Sequence, residues 1–306
     1  MSLFRPITLA DRMKINTYLR LYPQNEASEY TFTNLFIWSA MDHTEWYEDE
    51  SLGFMLLRVS PGNAPRFLMA LAKERYLAHA LDKAIAVAKA EGFPFAMHSL
   101  PKWYCQLMEE CFPNRFDFIH EPFLDDYIYS AEDMITLRGN KFHGQRNHIN
   151  RFIRNYGDRY AYIPFTPQLA QGCLAVYEKW LAKQTGSPML AMEQSSVCIA
   201  LSYAAELAIK GGIITIDGKT EAFSLGECLN NEMAVVHIEK ANPEIPQLFT
   251  MINRDFALNA FADTRWINRE EDMGSEGLRR AKRSYHPVRM IEKFRATLKE
   301  QTGCGV

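Results

Sequence analysis

The 306-residue chain predicts an α+β fold built twice, with each half a mixed, mostly antiparallel sheet flanked by helices. Its length exceeds one ordinary compact core and fits two domains of roughly 150 residues. Each half runs through helices, a meander of strands, a helix, a strand, a helix and a closing strand. No repeat appears residue by residue, so the duplication rests on element order alone. The expected division is residues 1–137, a basic linking helix over 138–157, and residues 158–306.

Thr8 caps a first amphipathic helix reaching about Leu21, and the aromatic stretch 30–38 forms a short second one. Residues 46–49 and 54–59 read as a hairpin, and 67–70 as a short strand. The alanine-rich stretch 73–91 is an uninterrupted helix closed by Gly92. A buried strand over 93–100 follows, then a helix opened by Pro101 and strands near 116–120 and 127–130. In the second half, 160–165 is a strand, and helices cover about 167–183 and 195–210, the latter ended by Gly211 and Gly212. Three strands then follow closely (213–217, 219–228, 232–239), with Asp217-Gly218 and Asn230-Asn231 as their turns. A helix over 245–261, a strand to Ile267 and a last strand-like segment over 288–298 complete the chain.

Hydrophobic residues at 47% and charged residues at 23% describe a globular protein with a substantial core. A net charge of −3 argues against a protein that coats nucleic acid in bulk, so any anion site is local. Six scattered cysteines (105, 111, 173, 198, 228, 304) contain no C-x-x-C pair, pointing to reduced thiols in a cytoplasmic protein. The start lacks signal-peptide design, and no apolar run is long enough to span a membrane.

Two stretches carry chemistry. Residues 265–287 read as a strand end, an acid-rich turn (Asn268, Arg269, Glu270, Glu271, Asp272), a loop with Gly274 and Gly277, and a helix bearing Arg279, Arg280, Lys282 and Arg283. A helix N-terminus favours an anion, and glycines allow close approach to the backbone. The alternative is a solvated helix whose charges complement its macrodipole. Residues 138–157 hold five cations and two histidines but no acid. On a helix, Phe142, Ile149 and Ile153 form a buried stripe opposite His143, Arg146, Asn147, Asn150 and Arg154. That face suits phosphates, with Lys141 beside it, or is the solvated side of a linker.

His237 and Glu239 share one strand face and form either an acid/base pair or a cross-strand contact. Glu270, Glu271 and Asp272 are consecutive and point different ways, so no metal site is expected. Nucleophile-elbow, dinucleotide and Walker patterns are absent.

The run Arg138-Gly-Asn-Lys-Phe-His-Gly-Gln-Arg-Asn-His-Ile-Asn-Arg-Phe resembles a basic block of a bacterial family, the domain of unknown function 2156. That family is related to the C-terminal domain of phosphatidylglycerol lysyltransferase. Phe223-Ser-Leu-Gly-Glu227, His237-Ile-Glu-Lys-Ala241 and Asn268–Lys282 with Ser284-Tyr285 resemble its other blocks, mainly within residues 130–295. The resemblance implies two tandem GNAT-like (acetyltransferase-like) domains, similar to the Fem-type aminoacyltransferases. It implies an acyl or aminoacyl transferase taking an aminoacyl-tRNA or acyl-CoA donor, with a small-molecule, lipid or peptide acceptor.

On this expectation Lys141, Arg146, Asn147, Asn150, Glu227, Asn268, Arg269, Gly274, Gly277, Arg279, Arg280, Lys282 and Tyr285 bind substrate. Glu239, His237, Glu270, Glu271 and Asp272 are the catalytic candidates. The alternatives are a CoA-dependent N-acetyltransferase and a non-catalytic RNA- or nucleotide-binding protein of the same fold.

Overall fold

The structure, a computed structural model, describes residues 3–184 and 188–299, with the backbone alone for 188–192. Cys304 lies outside the described residues. The chain divides into two compact units, Met1–Asp125 with Ile291–Val306, and Asp126–Met290. Unit 1 contains β1 (Arg5–Pro6), α1 (Arg12–Leu19), α2 (Phe32–Ile37), α3 (Ser39–Asp42), β2 (Glu45–Asp49) and β3 (Phe54–Val59). It continues with β4 (Arg66–Phe67), β5 (Leu71–Ala72), α4 (Glu74–Glu91), β6 (Ala96–Pro101), α5 (Lys102–Cys111) and β7 (Phe116–His120). Unit 2 begins with β8 (Asp126–Ser130), α6 (Ala131–Thr136), α7 (His143–Tyr156), β9 (Tyr160–Pro164), α8 (Ala170–Leu181) and α9 (Pro188–Ser202). Its remainder is β10 (Lys210–Ile216), β11 (Lys219–Cys228), β12 (Met233–Ala241), α10 (Leu248–Ala260), β13 (Trp266–Asn268), α11 (Glu276–Arg283) and β14 (Arg289–Ile291). Finally β15 (Lys293–Leu298) completes unit 1.

The sheet of unit 1 runs β1-β2-β3-β4-β6-β15-β7, with β5 also paired to β3. That of unit 2 runs β14-β8-β13-β12-β11-β10-β9. Each is mostly antiparallel and includes a parallel pair joined through a helix, β4 to β6 by way of α4 and β12 to β13 by way of α10. The strand β8 follows β7 in sequence yet pairs with β13, while β15 comes from the far end of the chain to lie between β6 and β7.

The expected boundaries near 137 and 157 therefore fall inside unit 2. The segment read as a linking helix is α7, whose Ile149 and Phe152 share a core with Ile214, Met251 and Ile252. Ile153, placed in the buried stripe from sequence, is instead exposed.

Local chemistry explains most elements. Helix α4 buries Leu77, Ala80, Leu81, Ala84, Val87 and Ala88, a helical repeat, and ends on Gly92 in the left-handed region at φ 78°. Asp217 (φ 52°) and Gly218 (φ 76°) make the two-residue turn joining β10 and β11. Two expectations change. The helix placed at 195–210 spans Pro188–Ser202, and the paired glycines belong to β10, where Phe165 and Tyr162 cover them too closely for any side chain. The last strand-like segment is two strands, β14 and β15, on different sheets.

One irregularity places the site. Leu225 pairs with Ile238 and Gly226 with Val236, which leaves His237 as the extra residue of a β-bulge in β12. A Cβ on Gly226 would come within 2.3 Å of the Val235 carbonyl oxygen, so only glycine lets the two strands close around the bulge. Gly226→Ala is expected to lower stability by about 1–3 kcal/mol in urea unfolding.

Candidate functional site

The bulge delivers His237 into a pair of carboxylates. Its Nε2 lies 3.1 Å from Glu227 Oε1, on the neighbouring strand β11. Its Nδ1 lies 2.9 Å from Glu270 Oε1, in the loop after β13. The imidazole is 1% exposed. Burial alone would depress its pKa, but hydrogen bonds and charge from Glu227 and Glu270 outweigh burial and raise it to about 9. At neutral pH the ring is an imidazolium donating from both nitrogens.

The loop over 269–275 holds Glu270 in an unusual backbone conformation. Glu270 (φ 56°), Met273 (φ 51°) and Gly274 (φ 76°) are all left-handed, a state that non-glycine residues adopt at a cost. Asn268, fully buried, accepts from the Glu270 N–H at 2.7 Å and donates to Asp126 at 2.9 Å. The Tyr127 N–H donates to the Glu270 carbonyl, and the Arg269 N–H to the Tyr127 carbonyl, extending the β8–β13 ladder past its last residue.

Three more pairs surround this core. Arg269 donates to Glu239 at 3.0 Å and lies near the rings of Tyr129 and Tyr285. The Asn253 carbonyl oxygen, in the amide orientation that satisfies both sides, accepts from the same guanidinium at 2.8 Å. Asp272, 1% exposed, receives Arg279 through two nitrogens at 2.8 and 3.0 Å, the Tyr127 hydroxyl at 2.7 Å and the Gly274 N–H at 2.8 Å. Burial opposes that charge, but these bonds win and hold the carboxyl below its ordinary value. The Lys282 ammonium donates to the carbonyls of Arg269 (2.6 Å), Glu270 (3.0 Å) and Glu271.

The sequence candidates thus separate into two groups. Glu227, His237, Glu239, Asn268, Arg269, Glu270, Asp272, Arg279, Lys282 and Tyr285 come together. Glu271 joins them through its carbonyl. Arg279 and Lys282, expected to bind substrate, are bonded within the loop.

Others lie apart from this cluster. Arg146 is bonded to the Leu137 and Gly139 carbonyls at 2.5 and 2.6 Å, and Lys141 to Asp133 at 2.8 Å. Asn147, Asn150, Gly277 and Arg280 sit on the surface, and a side chain at Gly277 would meet open space. The exposed guanidinium groups of Arg151, Arg154 and Arg280 make no hydrogen bond or ion pair to a described residue. Asp126, Tyr127 and Asn253 were missed. Nothing in spacing ties a residue of β8 to one 142 positions later.

Among the described residues no group of His, Cys, Asp or Glu is arranged to hold a metal ion, and no helix is long and apolar enough to cross a membrane. The model of the phosphatidylglycerol lysyltransferase C-terminal family matches residues 20–297. The chain belongs to that family. No curated protein matches its sequence.

A crystal structure of a conserved protein of unknown function from Bacteroides thetaiotaomicron VPI-5482 is similar to this family member at a TM-score of 0.88 and 35% identity, over 98% of this chain and 100% of that one. The structure of L-PGS from Bacillus licheniformis gives 0.65 at 14% identity, covering 95% of this chain and 93% of that one. FemX gives 0.55 at 9%, covering 96% and 97%. These likenesses are of fold, two mixed sheets each flanked by helices.

The buried imidazolium makes stability depend on pH. A folded-state pKa raised above 6.5 adds stability that is complete below that value and is lost as pH rises through about 9. In urea titrations across this window, the advantage of the wild type over His237→Gln is expected to shrink by roughly 3 kcal/mol. A constant difference would show that the ring is neutral in the fold.

Proposed function

We propose that this lysyltransferase-family chain is an aminoacyl transferase that passes an aminoacyl group from a tRNA-type donor to an amine or hydroxyl acceptor. The observation that carries this reading is His237 at the bulge, clamped between Glu227 and Glu270. Glu227 and Glu270 set two carboxylates at the centre of the site. Such a site attracts an ammonium group, the feature common to an aminoacyl donor and an amine acceptor.

In the transfer the acceptor's N–H or O–H oxygen or nitrogen attacks the donor ester carbonyl. The new acyl bond forms as the ester C–O bond breaks, and the ribose hydroxyl leaves with a proton. The acceptor's own proton passes to a carboxylate of the pair, and that carboxyl returns it to the departing ribose oxygen. His237, already protonated, holds both carboxylates in place and is not the base. Positioning supplies most of the rate. The acceptor is a small molecule, a peptide or a lipid head group, and a tRNA donor places the reaction in the cytoplasm.

The donor's phosphates fall to Arg151 and Arg154 on α7 and Arg280 on α11, cations that pair with no side chain among the described residues. The N-terminal end of α7 meets the C-terminal end of α11 where Gln145 donates to the Ser284 carbonyl. Arg280 lies near that junction, and Arg151 and Arg154 lie in the last two turns of α7.

Two measurements test the reading. Glu270→Gln and Glu227→Gln are each expected to slow single-turnover transfer from charged tRNA by about 10²–10⁴-fold, with donor binding retained. Full turnover in both variants would remove the pair from the chemistry. Arg154→Glu with Arg280→Glu is expected to flatten the salt dependence of tRNA binding by roughly one unit of slope per lost phosphate contact. An unchanged slope would place the donor elsewhere.

A further inference from the structure

We propose that Lys282 is a positioning residue, whose ammonium aims the Glu270 carboxylate at His237. Three consecutive carbonyls, those of Arg269, Glu270 and Glu271, converge on its Nζ. Consecutive carbonyls of an extended chain point in alternate directions. They can gather on one atom only where the backbone turns over, as it does at Glu270, φ 56°. An ammonium has three N–H donors, one for each carbonyl, and these contacts use all of them. Lys282 therefore maintains the left-handed turn, and that turn points the Glu270 side chain back across the sheet to His237.

The lysine is itself held from several sides. It is buried, its carbonyl accepts from the Tyr129 hydroxyl at 2.8 Å, and its ammonium lies 5.7 Å from the Tyr127 ring centre. The charged groups facing it are Asp126 on β8 and Arg269, Glu270 and Glu271 in the loop. Burial lowers its pKa to about 8 against the pull of these carboxylates. The lysine is therefore charged at neutral pH and loses its proton as pH rises through 8. A guanidinium cannot replace it, because its donors lie in one plane.

Lys282 matters to transfer only through Glu270, so its catalytic meaning rests on the proposed reaction. The following measurement reads His237 directly. The His237 titration is followed by NMR of labelled imidazole in the full chain and assigned by its loss in His237→Gln. Glu270→Gln is expected to lower the His237 pKa by at least about one unit, because one of its two carboxylates is gone. Lys282→Met is expected to lower it similarly, Lys282→Arg not to restore it, and Lys282→Met combined with Glu270→Gln to add nothing further.

An unchanged His237 titration in folded Lys282→Met would overturn the proposal, as would simple additivity in the double variant. Should Lys282→Met fail to fold, Tyr129→Phe loosens the same helix turn. A smaller downward shift there supports the role, and no shift overturns it. Failure of transfer with these His237 shifts intact would count against the proposed reaction alone.

Discussion

A charge buried beside two opposite charges governs the second unit. Removing an imidazolium and two carboxylates from water costs several kcal/mol per ion unless every lone pair and proton finds a partner. The fold responds in layers. His237 lies between Glu227 and Glu270, Arg269 between Glu239 and Asn253, and Asp272 between Arg279 and Tyr127. Buried ionic groups of this kind often add no more stability than well-packed apolar side chains, and what these bonds do is fix the orientation of each group. The bulge in β12 makes it possible by turning one side chain out of the regular alternation of the strand.

Positional control of this kind suits chemistry in which geometry supplies most of the acceleration. The groups that meet come from β11, β12 and the loop after β13, and β8 braces the end of β13 through Asp126, the loop through Tyr127 and α11 through Tyr129. Rigid strands carry two of the three central side chains. The third, Glu270, sits in a strained turn that is bonded from both sides, so its position is as well determined as theirs.

The sequence made the regular elements legible where one local rule decided them. Gly92 ended its helix, Asp217-Gly218 turned its hairpin, and the apolar repeat from Leu77 to Ala88 laid out α4. The residues of the site were also visible as types. Their partners were not, because each pairing joins positions far apart in sequence and depends on register. The cations of 265–287 show this most clearly. Composition allows them to face a phosphate, yet Arg279 and Lys282 turn inward to acids and carbonyls of their own loop. Gly211 and Gly212 misled for a related reason. A glycine pair reads as a helix stop locally, and only the sheet reveals the aromatic rings lying across it.

The placement of β8 and β15 has a consequence for how the chain comes into being. Unit 2 is one continuous stretch, whereas unit 1 is interrupted by it. During synthesis β6 and β7 emerge long before β15, the strand that separates them in the finished sheet. Until then two facing edges, each with unpaired N–H and C=O groups, must wait without joining each other or a neighbouring chain. The second unit can close its own sheet in the meantime, since all seven of its strands precede β15. The first part of the protein to be made is thus the last to be finished.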